Sequence, residues 1–169
     1  MTNKEFFIQT WKNESKITAG AVRALPTDMS KLAYKPSGKC RSAMEIISHI
    51  LPHAEELNIA TKAFVISEDS KEFSGIEEAA AYFEKNAAEV ADNLEKIDDA
   101  TWEEKIIPLE VFGNKLFEAP MMNMYWMFIF EMIHHRGQLS TYYRPMGVVN
   151  PRIYGPTAED VEKMQAASN

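Results

Sequence analysis

One long apolar stretch decides the fold: Met121-Met-Asn-Met-Tyr-Trp-Met-Phe-Ile-Phe-Glu131-Met-Ile-His-His135. Apolar side chains lie on nearly every side of a helix drawn through this segment, and a helix without a polar face is buried all round. Pro120 is well placed as its first residue, and we expect the helix to run to about Arg144, before Pro145. A central buried helix of this kind predicts a helical bundle.

Three more long helices are predicted from apolar spacing. The first runs from about Lys4 to Leu25. The second begins at a capping box, Ser42-Ala-Met-Glu45, and continues to about Phe64. In the third, apolar residues alternate at steps of four and three between Ile76 and Ile97, which is typical of a seam between antiparallel helices.

Two features interrupt this regular pattern. Pro52 lies inside the second helix, where it removes a backbone donor, and we expect a kink or a break near His49. Between Asp99 and Ala119 the helical pattern weakens, which indicates either a short hairpin around Gly113-Asn114 or an extended cover over the bundle. The predicted fold is an all-α four-helix bundle, a single domain over residues 1–169, with a short C-terminal helix capped by Thr157.

Composition excludes several classes of function. The chain has 169 residues, 46% of them hydrophobic, and a net charge of −7 without a dense basic patch, so we expect no nucleic-acid partner. The apolar stretch before Glu131 is short for a membrane span, and we expect no membrane partner. No secretory signal is visible and Cys40 is the single cysteine, which indicates a cytoplasmic protein.

The four histidines occur in two close groups, His49 with His53 and His134 with His135. Glu131 and His135 are four residues apart and lie on one face of the last long helix, while His49 lies on the second helix. If these faces meet, His49, Glu131 and His135 form a metal site. Two imidazoles and a carboxylate suit a divalent ion such as Zn, Ni or Fe, which activates a water or a thiol.

Other interpretations of the same residues stay open. Glu131 could instead pair with an arginine of another helix, Arg41 or Arg23. For His53 and His134 we favour a structural role or a role behind the ligands. Glu131-Met-Ile-His134 also has the Glu-x-x-His form of di-iron bundles, but we find no second such motif in the chain.

The two motifs that carry these residues resemble a known family. His135-Arg-Gly-Gln-Leu-Ser-Thr-Tyr-Tyr-Arg144-Pro-Met-Gly147 is similar to the third metal-ligand segment of the DinB-like (YfiT-like) metalloenzymes. Tyr34-Lys-Pro together with Arg41-Ser42-Ala-Met-Glu45-Ile-Ile-Ser-His49 is similar to their second helix, and Pro151-Arg-Ile-Tyr-Gly155-Pro resembles their tail. The resemblance covers most of the chain from about Tyr34.

The resemblance implies a metal held by three histidines, one on the second helix and two on the last. His49 matches the first and His135 the third, but position 131, which matches the second, is a glutamate. Glu131 either serves as an oxygen ligand or marks a site that has been weakened or lost, and we favour the first.

The resemblance also implies an activity and a partner. Characterised relatives are transferases and isomerases that use low-molecular-weight thiols, and members are commonly homodimers. We therefore predict a metal-dependent thiol transferase or hydrolase acting on a small molecule, with His134, His53, Gln138 and Tyr142 as residues behind the ligands. The alternative is a non-catalytic dimeric bundle that binds a small ligand or serves in a stress response.

Overall fold

The structure is a computed structural model that describes residues 1–168. Its helices are α1 (Asn3–Arg23), α2 (Ala43–Ile50), α3 (His53–Ala63), α4 (Ile76–Leu94), α5 (Asp99–Glu104), α6 (Met121–Ser140) and α7 (Ala158–Ala167), with a short 3₁₀ turn at Lys31–Ala33. Three strands are interspersed: β1 (Ile66–Glu68), β2 (Ile106–Val111) and β3 (Asn114–Pro120).

The long helices pack against one another along their apolar faces. α1 contacts α4 and α6, α2 contacts α6, and α3 contacts α4. Phe7 and Trp11 of α1 are fully buried, and the indole nitrogen of Trp11 donates to the Ala87 carbonyl on α4 at 2.9 Å. The predicted seam of α4 is buried, from Ile76 through Phe83 to Val90.

Helix α6 begins at Met121, one residue after the expected first residue Pro120, which is its N-cap, and it ends at Ser140 rather than near Arg144. The next residues, 141–147, form turns. One face of α6 is buried, including Tyr125 and Phe128, whereas Phe130 is 60% exposed. The helix therefore has an outer apolar face that is not covered within residues 1–168.

A buried ion pair fastens α6 to α1. The guanidinium of Arg136, which is 2% exposed, donates from Nη2 to Oε2 of Glu14 at 2.6 Å and from Nη1 to the Thr18 hydroxyl at 2.9 Å. The Tyr154 hydroxyl donates to the same Glu14 oxygen at 2.7 Å, which brings the C-terminal segment into the network.

The fold is not strictly all-α as expected, because it contains a small three-stranded sheet. β1 pairs in parallel with β2, with Ile66 opposite Leu109, and β2 pairs antiparallel with β3. Of the two alternatives for this region the hairpin is present, with its turn at Phe112 and Gly113, one residue before the expected Gly113-Asn114. The φ values of these two residues are +50° and +74°. Two-residue hairpin turns require such positive values. The sheet covers one side of the helical core.

None of the helices within residues 1–168 combines the length and hydropathy needed to cross a membrane.

Candidate metal centre

The N-terminus of α2 is fixed by the predicted capping box. The Ser42 hydroxyl accepts from the Glu45 backbone N–H at 3.1 Å, and the Ser42 backbone N–H donates to Glu45 Oε2 at 2.6 Å. Ile46, Ile47 and Ile50 bury the opposite side of the helix. This anchoring leaves His49, in the last turn of α2, partly exposed beside α6.

Pro52 interrupts the second predicted helix, as expected, and separates α2 from α3. Leu51 and Pro52 nevertheless keep right-handed helical dihedral angles, with φ of −72° and −60°. His49 and His53, four residues apart, therefore remain on one face, and their ring centroids lie 5.0 Å apart.

The carboxylate of Glu131 is the common neighbour of three imidazoles. Its Oε1 lies 3.1 Å from Nε2 of His49 and 3.6 Å from Nε2 of His135, one turn further along α6. Its Oε2 lies 3.9 Å from Nε2 of His53. Glu131 and His135 of α6 thus form one cluster with His49, which precedes Pro52, and His53, which follows it.

The outer nitrogens of these rings all face oxygen acceptors. Nδ1 of His53 donates to Oε2 of Glu56 at 2.8 Å, and Nδ1 of His135 donates to the Gln138 amide oxygen at 2.8 Å. Nδ1 of His49 lies 3.4 Å from Oε1 of Glu68 on β1. Because an oxygen that only accepts requires an N–H opposite it, these contacts favour the tautomer that leaves a lone pair on each inner Nε2.

The inner nitrogen of His53 has no hydrogen-bond partner among residues 1–168, although the side chain is 1% exposed. An imidazole nitrogen buried in this way loses its hydration without compensation, which is costly. A cation between His53 and Glu131 would give the His53 nitrogen a partner and would balance the charge of the Glu131 carboxylate. The residues present therefore fit a metal ion.

The Glu131 carboxyl stays ionised in this environment. When the inner nitrogens carry protons in place of an ion, hydrogen bonds from His135 and then His49 hold the pKa of Glu131 well below its usual range, and they outweigh the opposite effect of burial. A negatively charged oxygen is thus available at the point where the three inner nitrogens converge.

Arg41, which directly precedes the cap of α2, reaches the same cluster. Its Nη1 lies 3.4 Å from Nε2 of His135, to which a guanidinium can only donate. Arg41 does not pair with Glu131, and Arg23, the other arginine considered, pairs with Glu77 and Glu84 on α4. Neither arginine is therefore the partner of Glu131 within the residues that the structure describes.

The structure brings His49 and Glu131 together with His53 in the most compact group, in which one ligand atom of each lies within 4.8 Å of the others. His135 borders this group through Glu131. His134 is exposed and accepts from the Gln138 amide at 2.9 Å, and the Tyr142 hydroxyl donates to the Arg41 carbonyl at 3.0 Å. Sequence reasoning missed Glu56 and Glu68 as partners of the histidines; the spacing of Glu56 three residues after His53 was the one available signal.

A cleft of about 990 Å³ opens beside the cluster. His49 and Arg41 line it from the helical side, Glu68 from β1, and Phe112 from the tip of the β2–β3 hairpin. A small organic molecule can therefore reach the edge of the cluster from solvent.

Comparisons with known proteins agree on the family and the fold. The model of the DinB family matches residues 1–167. Crystal structures of DinB-like proteins from Bacillus subtilis and Bacillus cereus superpose with TM-scores of 0.65 and 0.68 at 17% and 19% identity. Each alignment covers 89% of this chain and 97% of the other, so the likeness in fold extends over nearly the whole molecule. The comparison with curated proteins returns no match.

Proposed function

This chain belongs to the DinB family, and on that premise we propose that it is a metal-dependent enzyme acting on a small molecule. The ion would be held by His49, Glu131 and His135, with Nε2 of His53 as a further donor. We also propose that its long helices form the four-helix bundle of the DinB type.

The observation that supports this proposal is that the two nitrogens of each imidazole have different partners. The outer nitrogens of His49, His53 and His135 face oxygen acceptors, while the inner ones face a single ionised carboxylate. Lone pairs on nitrogen and oxygen repel one another unless a proton or a cation lies between them. Histidines that bind metal ions are oriented in this way by acceptors behind them.

The donor set limits the choice of ion. Imidazole nitrogen with one carboxylate oxygen suits Zn, Ni or Fe in the divalent state, whereas Mg and Ca prefer oxygen alone. When bound, such an ion lowers the pKa of a coordinated water or thiol. We therefore propose hydrolysis or transfer from a low-molecular-weight thiol as the reaction class.

The protein's own residues have separate tasks in this proposal. Glu56 and Gln138 hold the rings of His53 and His135 through their outer nitrogens, at 2.8 Å each. Glu131 contributes a negative charge that offsets part of the positive charge of the ion. The cleft lined by His49 admits the substrate from one side.

A second candidate function follows from the same contacts. Because Glu131 is already surrounded by three imidazoles and Arg41 donates to His135, the cluster can compensate its own charge without an ion. The protein would then be a non-catalytic bundle that binds a small ligand. In either case we propose a homodimer formed through an aromatic face made of exposed Phe6 and Phe130 with half-buried Trp126 between them. The ring centroid of Trp126 lies 5.6 Å from that of Phe6 and 5.7 Å from that of Phe130.

Elemental mass spectrometry of the purified full chain separates the two candidates. The wild type is expected to carry a stoichiometric divalent ion that is lost in Glu131→Ala, His135→Ala and His53→Ala. His134→Ala is the matched control, since His134 neighbours His135 but is exposed. A wild type that takes up no Zn, Ni or Fe after incubation would contradict the metal centre and favour the closed ionic cluster.

A further inference from the structure

We propose that the cleft beside the candidate metal centre binds an organic anion that carries an apolar group, with Arg41 contacting the anion and Phe112 the apolar part. The inference rests on the proposed function in one respect, since it names the substrate class of the same site. It concerns residues outside the ligand set.

Arg41 has donors available for an anion. Its guanidinium is exposed, lines the cleft and makes its contact with His135 through Nη1 alone. Within residues 1–168 it has no carboxylate within ion-pair distance. Its backbone is held in place, because the Tyr142 hydroxyl donates to the Arg41 carbonyl at 3.0 Å and the capping serine follows directly. A guanidinium presented from a fixed backbone matches carboxylate, sulfonate or phosphate oxygens in pairs.

The other charged side chains of the cleft that the structure describes do not form an ion pair with Arg41. Lys35 and Glu45 pair with each other at 2.8 Å, and Glu68 faces His49. The remaining charged side chains in the lining balance in sign, Lys39 and Lys71 against Asp69 and Glu72. With Glu68 included, the lining has four cations and four anions, and Arg41 is the cation that lies nearest to the candidate ligands.

Phe112 occupies an unfavourable position for its residue type. Its φ of +50° favours asparagine or glycine, and its ring is 85% exposed at the tip of the hairpin, on the wall of the cleft. Phenylalanine is therefore favoured at this position neither by the backbone conformation nor by burial of its ring. An apolar ligand in the cleft would cover the ring, and Met44 of α2 and Val111 of β2 add apolar surface to the lining.

Two fluorescent probes test the anionic and the apolar contacts separately. Anilinonaphthalene sulfonate carries both features, and phenylnaphthylamine has the same rings without the sulfonate. Titrations with the full-length protein are expected to show that Arg41→Gln weakens the sulfonate probe about tenfold and leaves the neutral probe within about twofold. Phe112→Asn is expected to weaken both probes about fivefold.

Matched controls lie outside the cleft. Leu116→Thr removes an apolar side chain that is 62% exposed on the same hairpin, and Lys85→Gln removes an exposed cation of α4; both should leave binding within about twofold. The proposal is overturned if the wild type binds neither probe, if Arg41→Gln weakens both equally, or if Leu116→Thr matches Phe112→Asn. Metal content of the same samples reports on the ion independently, so probe selectivity without metal supports this site and contradicts only the metal centre.

Discussion

Nε2 of His49 lies 3.1 Å from Oε1 of Glu131, although the two residues are 82 positions apart in the chain. The contact joins the last turn of α2 to the middle of α6. Their neighbours His53 and His135 complete the cluster from the same two sides. The candidate site is therefore built on helices rather than loops, which holds its side chains in fixed positions.

Restoring the residue that the family usually has at position 131 tests whether Glu131 is a ligand. Glu131→His keeps a metal donor of similar reach, so metal content should persist. Glu131→Gln should lower the affinity for Zn by more than about 100-fold, because losing even a residue that only hydrogen-bonds a ligand costs about 10- to 100-fold. Competition titration against a chelator measures both. Equal affinities in Glu131→Gln and the wild type would remove Glu131 from the ligand set.

Glu56 should influence metal binding without touching the ion. It accepts from Nδ1 of His53 and, through its other oxygen, from the Asp69 backbone N–H at 2.9 Å. Glu56→Gln replaces one acceptor by an N–H donor, and we expect Zn affinity to fall by about 10- to 100-fold. Glu103→Gln, on the exposed side of α5, is the control. An unchanged affinity in Glu56→Gln would show that the orientation of His53 does not matter to the ion.

The ionisation of Glu131 makes a pH-dependent contribution to the stability of the metal-free protein. Because hydrogen bonds from His135 and His49 lower its pKa in the folded state, this contribution is complete above the ordinary value of 4.5 and is lost as the pH falls below it. Urea unfolding of the wild type and Glu131→Gln should therefore give a larger difference at a pH of about 5.5 than at about 3. A difference that grows on acidification would contradict the lowered pKa.

Phe112→Asn should stabilise the protein even though it weakens the binding proposed for the cleft. Asparagine tolerates positive φ better than phenylalanine, and we expect the free energy of unfolding to rise by roughly 1 kcal/mol. Phe112→Ala is the control, since it removes the ring without relieving the backbone. Chemical denaturation measures all three proteins, and a gain of equal size in Phe112→Ala would assign the effect to the exposed ring instead.

Arg136 should support the fold rather than the chemistry. Although it follows His135, it points to α1, where it pairs with buried Glu14. Arg136→Gln leaves that carboxylate without its partner, and we expect a loss of about 3 kcal/mol in the free energy of unfolding. The double variant Glu14→Gln with Arg136→Gln should recover part of the loss, and additive losses in this cycle would exclude coupling between the two residues.

Sequence periodicity located the long helices because their apolar faces are buried in one core. The capping box at Ser42 and the interruption at Pro52 were both predictable, since they depend on residues that are close in the chain. β1 was not predicted because Ile66-Ser-Glu68 is too short to show alternation and is defined by pairing with distant residues of β2.

The candidate site was predictable only in part, because some of its contacts depend on how elements distant in the chain pack together. The i, i+4 spacing of Glu131 and His135 is local, and their meeting with His49 followed from helix faces. The approach of the His53 inner nitrogen depends on the angle between α3 and α6. The contact of Glu68 with His49 depends on the sheet. Neither of these is encoded in a spacing along the chain.

The parallel pairing of β1 with β2 has a consequence for the order of folding. The whole of α4 and α5 lies between these strands, so their pairing closes a long loop and must overcome its entropy. Glu68, which faces His49, lies on the strand that this closure fixes. We expect the helices to form early and this wall of the cleft late, so that refolding chains recover helical signal before they recover the capacity to bind a ligand.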